Sequence, residues 1–273
     1  MSHPIVERLR SSKPDERISA CRDAIEDPSA IVLIDALGET LGDPVKAVAR
    51  AASDALAHLA REIDGVEAVV RLALRSDDAS RRWHAALTSA RIEPPTPRLL
   101  PPLVEALASR EGDVRWMAAR LLVETGRVNP EVLPLVIGLV TGGESVDVRR
   151  MAMHCVRELG PERPESTRAL LEGTRDSDRS VRHAALTALA GLTDPSGEVF
   201  DRLMEVITDP SDAPSRKMAA YSLGALAREH ADQLPEASIA ALRQIAKADP
   251  DLDLRSAIGR TLEQLQEPPE AVG

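Results

Sequence analysis

Aromatic residues are nearly missing from this chain: Trp83, Trp116, Phe200 and Tyr221 are the complete set in 273 residues. A core must therefore be filled by Ala, Leu, Val and Ile, which suits small, closely spaced helices and argues against a β-sheet core, where aromatic residues are enriched. Long apolar runs are missing too. No stretch reaches membrane-spanning length and the N-terminus lacks the basic-then-apolar pattern of a signal peptide, so no membrane partner and a cytoplasmic location are expected. Excess positive charge is also lacking: the formal net charge is -10. Bulk attraction to nucleic acid or to an anionic membrane is thereby disfavoured, leaving only a local basic patch. Cysteine is limited to Cys21 and Cys155. No paired-cysteine zinc spacing, glycine-rich phosphate loop or Gly-x-Ser-x-Gly elbow occurs, so neither a metal nor another cofactor is expected, and no catalytic residue is assigned.

What the chain does contain is a repeat. In the stretch from Asp176 to Leu192, numbered as slots 1 to 17, apolar residues fall in slots 6, 10, 13, 14 and 17, acids in slots 1 and 3, and arginine in slot 7. That is the apolar stripe of one buried helix face with an acidic start. The slot-7 marker recurs as Arg17, Ala49 (with Arg50 beside it), Arg82, Arg115, Arg149, Arg182, Arg216 and Arg255, at spacings of 32 to 34 residues and a last step of 39. Val48, Ala52, Ala55, Leu56 and Leu59 repeat the apolar slots in one copy; Val148, Ala152, Cys155, Val156 and Leu159 repeat them in another. Each marker helix follows a second apolar segment, so the unit is helix, polar turn, helix. Asp43, Asp78, Glu111, Asp178, Asp212 and Asp251 stand where a carboxylate can accept the free amide hydrogens of the second helix. Prolines 97, 101, 102, 134 and 164 cluster near the starts of first helices, and Pro101 and Pro102 are expected to kink theirs. Cys155 in a core slot reads as a small buried thiol. With four layers at about 9 Å each, the two cysteines of a stacked array would lie roughly 35 Å apart, too far for a disulfide.

The pattern Asp-x-Asp-x-x-Val-Arg-x-Ala-Ala-x-x-Ala-Leu-x-x-Leu at 176–192 resembles the second helix of a HEAT repeat, in the short HEAT-like variety of phycobilisome lyases and many bacterial scaffold proteins. The resemblance implies an all-α fold, a right-handed α-solenoid of about eight two-helix repeats. Residues 1–266 would form a single array, with atypical capping units at 1–26 and 235–266. Residues 267–273 read as a flexible tail, and the segment from Pro94 to Pro97 as a loop or hinge.

If the five apolar slots face inward, slots 8, 12 and 15 face the other way, and in HEAT-like stacks that face of the second helix lines the concave surface. It carries Arg50, Trp83, Trp116, Arg150, His183 and Lys217 in slot 8, and Arg120, Tyr221 and Arg260 in slot 12. Indole, phenol and guanidinium groups together suit a binding groove. Arg50, Trp83, Trp116, Arg120, Arg150, His183, Lys217 and Tyr221 are the candidate partner-binding residues. Two plainer readings stand beside this one: Trp83 and Trp116 pack on each other, or a one-position shift around Arg81 turns Trp83 inward. The slot-7 arginines have two readings, an anion-binding ladder or, as the resemblance implies, structural pairing with an acid of the neighbouring repeat. The expected function is a noncatalytic protein-interaction scaffold for a peptide, a helix or an acidic or aromatic-bearing surface. Nucleic-acid binding of the alkylpurine DNA glycosylase type is the alternative, although its only slot-12 carboxylate near the tryptophans is Asp54. A bilin lyase-like role follows from repeat type alone. The His-Glu pairs of the HEAT-type deoxyhypusine hydroxylase are missing.

Overall fold

The computed structural model describes residues 3–94 and 96–265. The expected tail at 267–273 and Pro95 of the expected hinge lie outside them. Among the described residues there are sixteen α-helices and no strand, and the chain divides into two compact units at Asn129 and Pro130.

The first unit holds α1 (Pro4–Leu9), α2 (Pro14–Glu26), α3 (Ile34–Thr40), α4 (Lys46–Leu59), α5 (Val66–Ala73), α6 (Ala79–Ile92), α7 (Leu100–Ala106) and α8 (Gly112–Gly126). Second helices α2, α4 and α6 pack in succession, with α3 and α5 laid against them. The predicted apolar slots are the buried ones: Val48, Ala52, Ala55 and Leu56 have no exposed surface. Leu33, Leu37 and Leu41 meet them from the first helix of that repeat and are equally buried. Pro101 and Pro102 do not kink a helix. They stand in the first turn of α7, where amide hydrogens have no partner in the helix ladder, so their rings break nothing.

The second unit holds α9 (Val132–Gly142), α10 (Val146–Leu159), α11 (Pro164–Gly173), α12 (Arg179–Leu189), α13 (Gly197–Thr208), α14 (Ala213–His230), α15 (Glu236–Ala248) and α16 (Leu252–Gln264). Here α10, α12, α14 and α16 pack in succession. Val181, Ala185, Ala188 and Leu189 of α12 are buried as the slots require, and Phe200 of α13 is the largest side chain fully inside. Small residues let the layers close up: a Cβ on Gly173 would fall 2.0 Å from Met153 Cε and 3.1 Å from Ala185 Cβ.

Helix starts follow the acidic pattern. Asp78, Asp178, Asp212 and Asp251 each accept a backbone amide of the helix they precede. Glu111 does not cap α8; its carboxylate goes to Lys46. Both cysteines are fully buried, and burial pushes each thiol up to about 12, so neither forms a thiolate readily.

Candidate functional site

The slot-7 arginines are occupied by the fold. Five reach back to a carbonyl six residues upstream: Arg17 Nη1 donates to Ser11 O (2.8 Å), Arg82 Nη1 to Ser76 O (2.5 Å), Arg115 Nη1 to Ser109 O (2.7 Å), Arg149 Nη1 to Gly143 O (3.1 Å) and Arg182 Nη1 to Asp176 O (2.8 Å); Arg216 and Arg255 donate through Nε to carbonyls nine residues upstream, those of Ile207 and Ala246. Most also reach forward to an acid of the next repeat. Arg17 pairs with Asp43 at 2.7 Å, Arg82 with Glu105 at 2.6 Å, Arg149 with Asp176 at 2.7 Å and Arg216 with Asp249 at 2.6 Å, while Arg182 pairs with Asp212. The Arg149 and Arg216 guanidiniums hold the carboxyls of Asp176 and Asp249 below the usual carboxylate range. The planar fork of arginine makes both connections at once, which the point charge of lysine could not do as well. These arginines are repeat-to-repeat fasteners, and the anion-ladder reading falls.

In the first unit the candidates Arg50, Trp83, Trp116 and Arg120 separate. Trp116 is 53% exposed on α8, with Arg120 one turn on and bonded to Glu124. Trp83 is a correction: although it shares slot 8 with Trp116, it is only 7% exposed. The core slots of α6 hold Ala85, Thr88 and Ser89, too small to fill their layer, and Trp83 and His84 supply the missing volume. Thr88 donates to the hydroxyl of Ser53 on α4, a polar contact inside the layer. On the outside, α4 is tied directly to α8. Lys46 bonds Glu111 and, at 2.6 Å, Asp113, and Arg50 bonds Asp113 at 2.6 Å. Hydrogen bonds from Lys46 and then Arg50 pull the Asp113 carboxyl down to about 2. Arg50 is thus committed to an intramolecular bridge. Asp54 is likewise held by Arg91 at 2.5 Å.

In the second unit, Arg150 bonds Asp147 of its own helix and Lys217 bonds Asp253 at 3.3 Å. His183 is half-buried, and burial lowers its pKa. Tyr221, one turn beyond Lys217 on α14, is 48% exposed. The guanidinium carbon of Arg260, from α16, lies 5.6 Å from its ring centroid, and Arg260 Nη2 donates to the phenol oxygen at 3.3 Å. This brings together a flat ring, a guanidinium and an ammonium on the outer face of two adjacent second helices.

Lys46, His84 and Asp113 were not singled out by the sequence. Lys46 and Asp113 are 67 residues apart, and no local pattern links them. Among the described residues, no cluster of three or more His, Cys, Asp or Glu side chains is placed to hold a metal ion, and no helix is long and apolar enough to cross a membrane.

Comparison with known proteins agrees with the repeat. The family model for HEAT repeats matches residues 34–122, 100–190 and 167–263. No curated protein sequence matches the chain. Among solved structures, importin beta is similar with a TM-score of 0.60 at 15% identity, over 96% of this chain and 40% of its own length. Kap95p, solved in a study of how its binding switches the loops of RanGDP to the GTP-bound conformation, has a TM-score of 0.60 at 15% identity, over 96% of this chain and 39% of its own. YibA of E. coli has a TM-score of 0.51 at 15% identity, over 93% of this chain and 98% of its own. The chain therefore spans well under half of the two karyopherins. At these identities the likeness shows the fold alone.

Proposed function

We propose, from the premise that this chain belongs to the HEAT-repeat family, that it is a noncatalytic scaffold that binds another protein through the outer faces of its second helices. The observation that carries the reading is the Tyr221–Arg260 pair. A ring left 48% exposed with a guanidinium against its face contributes little to the fold, and Tyr and Arg are among the residue types enriched at interface hot spots. Trp116, 53% exposed, offers a similar surface in the other unit. Arg260 against Tyr221 favours a partner segment carrying a carboxylate, and the flat rings favour aromatic or apolar side chains, while Lys217 is engaged by Asp253 and Asp251. Kap95p, alike in fold, binds a protein, RanGDP. The glycosylase-like reading relied on two tryptophans in one groove; with Trp83 buried it has one.

Affinity capture from a native lysate, with and without nuclease, tests this. Wild type is compared with a Trp116→Ala, Tyr221→Ala double variant. A protein captured by the wild type, resistant to nuclease and lost from the variant, supports the scaffold. Recovery of nucleic acid, or identical profiles from both baits, overturns it.

A further inference from the structure

In the first unit α4 is held to α8 by a cluster of charges that skips the repeat between them. Lys46 bonds Glu111 and Asp113, and Arg50 bonds Asp113, across 63 to 67 residues of chain. A stacked array needs contacts only between neighbouring repeats, and the arginine fasteners are of that ordinary kind. Their side chains are 8–15% exposed in the pairs of Arg17, Arg149 and Arg216. Those of the α4–α8 cluster are 29–54% exposed. Exposed pairs contribute little to stability, so this connection is weak and open to competition.

The surroundings allow it to come apart. Helix α4 packs on α2 and α6 on α4, but α8 packs chiefly on α7. A cavity of about 400 Å³ is bordered by Lys46 and Glu111 together with Pro102, Ala106 and Val114, which leaves the start of α8 room to shift. Glu111 also has another place to go. Asp78, Asp178, Asp212 and Asp251 each accept an amide of the helix they precede, whereas Glu111, in the same position before α8, caps nothing and is bonded to Lys46. Released, its carboxylate stands at a helix N-terminus whose free amides and dipole favour it, which offsets part of the lost pairing.

We infer that Lys46 and Arg50 are a docking site on α4 for an acidic peptide segment of a partner protein, and that Glu111 and Asp113 keep it closed by standing in for that segment's carboxylates. The charges identify the occupant. Two bases one helical turn apart hold two carboxylates two residues apart, and an extended run of Asp or Glu presents carboxylates at that same spacing on one side. A short segment fits better than a long polyanion such as nucleic acid, which the net charge of -10 repels more strongly. The site deepens the scaffold reading and rests on it, since it gives the scaffold an acidic partner.

The test follows the anisotropy of a rhodamine-labelled, end-blocked oligoglutamate peptide added to the full chain at low ionic strength. Glu111→Gln with Asp113→Asn frees the two bases, and Lys46→Gln with Arg50→Gln removes them. Asp35→Asn with Glu39→Gln makes the same change of charge at exposed positions on α3. The substituted side chains are all partly or fully exposed, so melting temperatures stay near that of wild type. The variant with freed bases is expected to bind about tenfold tighter than wild type, ~1.4 kcal/mol, which is within what three exposed pairs supply together. Adding Lys46→Gln and Arg50→Gln to it abolishes the gain, and the α3 variant binds as wild type does. No gain beyond the α3 variant, a gain that survives loss of both bases, or tighter binding of single-stranded DNA of equal charge overturns the inference. The titration spares Trp116 and Tyr221, so it can fail while lysate capture succeeds, and the two readings are separable.

Discussion

Removing Asp249 tests the arginine fasteners most directly. Arg216 on α14 donates through Nη2 to Asp249 (2.6 Å) and through Nε to Ile207 O (2.7 Å). The side chains of the pair are 8% and 9% exposed, close to the buried regime in which loss of one partner costs about 3–5 kcal/mol, against about 0–1 kcal/mol for an exposed pair. Asp249→Ala leaves a buried guanidinium with only a carbonyl, so the full ~3–5 kcal/mol is expected. Arg216→Met has a comparable effect, because it strands the carboxylate and frees the Ile207 carbonyl. The double variant is less destabilised than the sum of the singles, by about 2–3 kcal/mol, since neither charge is then left alone. Urea unfolding followed by circular dichroism gives the cycle, and hydrogen exchange shows α15 and α16 losing protection first, because each repeat holds only its neighbours. The control is Arg120→Ala, whose pair with Glu124 is 65% and 40% exposed and contributes about 0.3–0.5 kcal/mol. If Asp249→Ala cost no more than this control, the fasteners would have no energetic role.

The two tryptophans are expected to behave oppositely: Trp83→Ala destabilises by about 3–5 kcal/mol, whereas Trp116→Ala stays within about 1 kcal/mol, and equal unfolding free energies would refute the burial argument. Ala185→Asp, at a position with no exposed surface, puts an unpaired charge in the α12 layer and should abolish cooperative melting of that unit; an unchanged melting curve refutes the slot assignment. Gly173→Ala should cost about 1–3 kcal/mol, because the methyl displaces Met153, and a melting temperature equal to wild type would show that the methionine yields freely. Asp176 has its folded pKa depressed, chiefly by hydrogen bonds from Arg149. Its contribution is therefore complete above the unfolded value of about 4 and is lost as pH falls through the folded value. Asp176→Asn should flatten the acid limb of a plot of melting temperature against pH below about 4, and an unchanged limb would count against the pairing.

Much of the fold is legible in the sequence because its causes are local. Apolar slots repeating every helical turn specify which side of each second helix is buried, and Val48, Ala52 and Ala55 lie there as expected. The carboxylates at positions 78, 178, 212 and 251 cap helices because a cap depends on residues two or three apart. The recurrence of the slot-7 arginines is visible too, since a stack repeats its contacts as its sequence repeats, although recurrence alone fits an anion ladder as well as a structural pair. The candidate site is only partly legible, because exposure depends on neighbours that helical period does not describe. Trp83 and Trp116 share a slot, yet one is 7% exposed and the other 53%. The difference comes from undersized residues in the α6 layer and from the ties of Lys46 and Arg50 to Asp113, across more than sixty residues of chain. The sequence alone determined the helices and their inward faces, products of short-range spacing; it set the arginines in register but left their role between two readings, which the pairs with Asp43, Asp176 and Asp249 decided. Only the tertiary structure decided which aromatic rings meet solvent and where a cavity opens, because both depend on how distant side chains fill, or fail to fill, a shared volume.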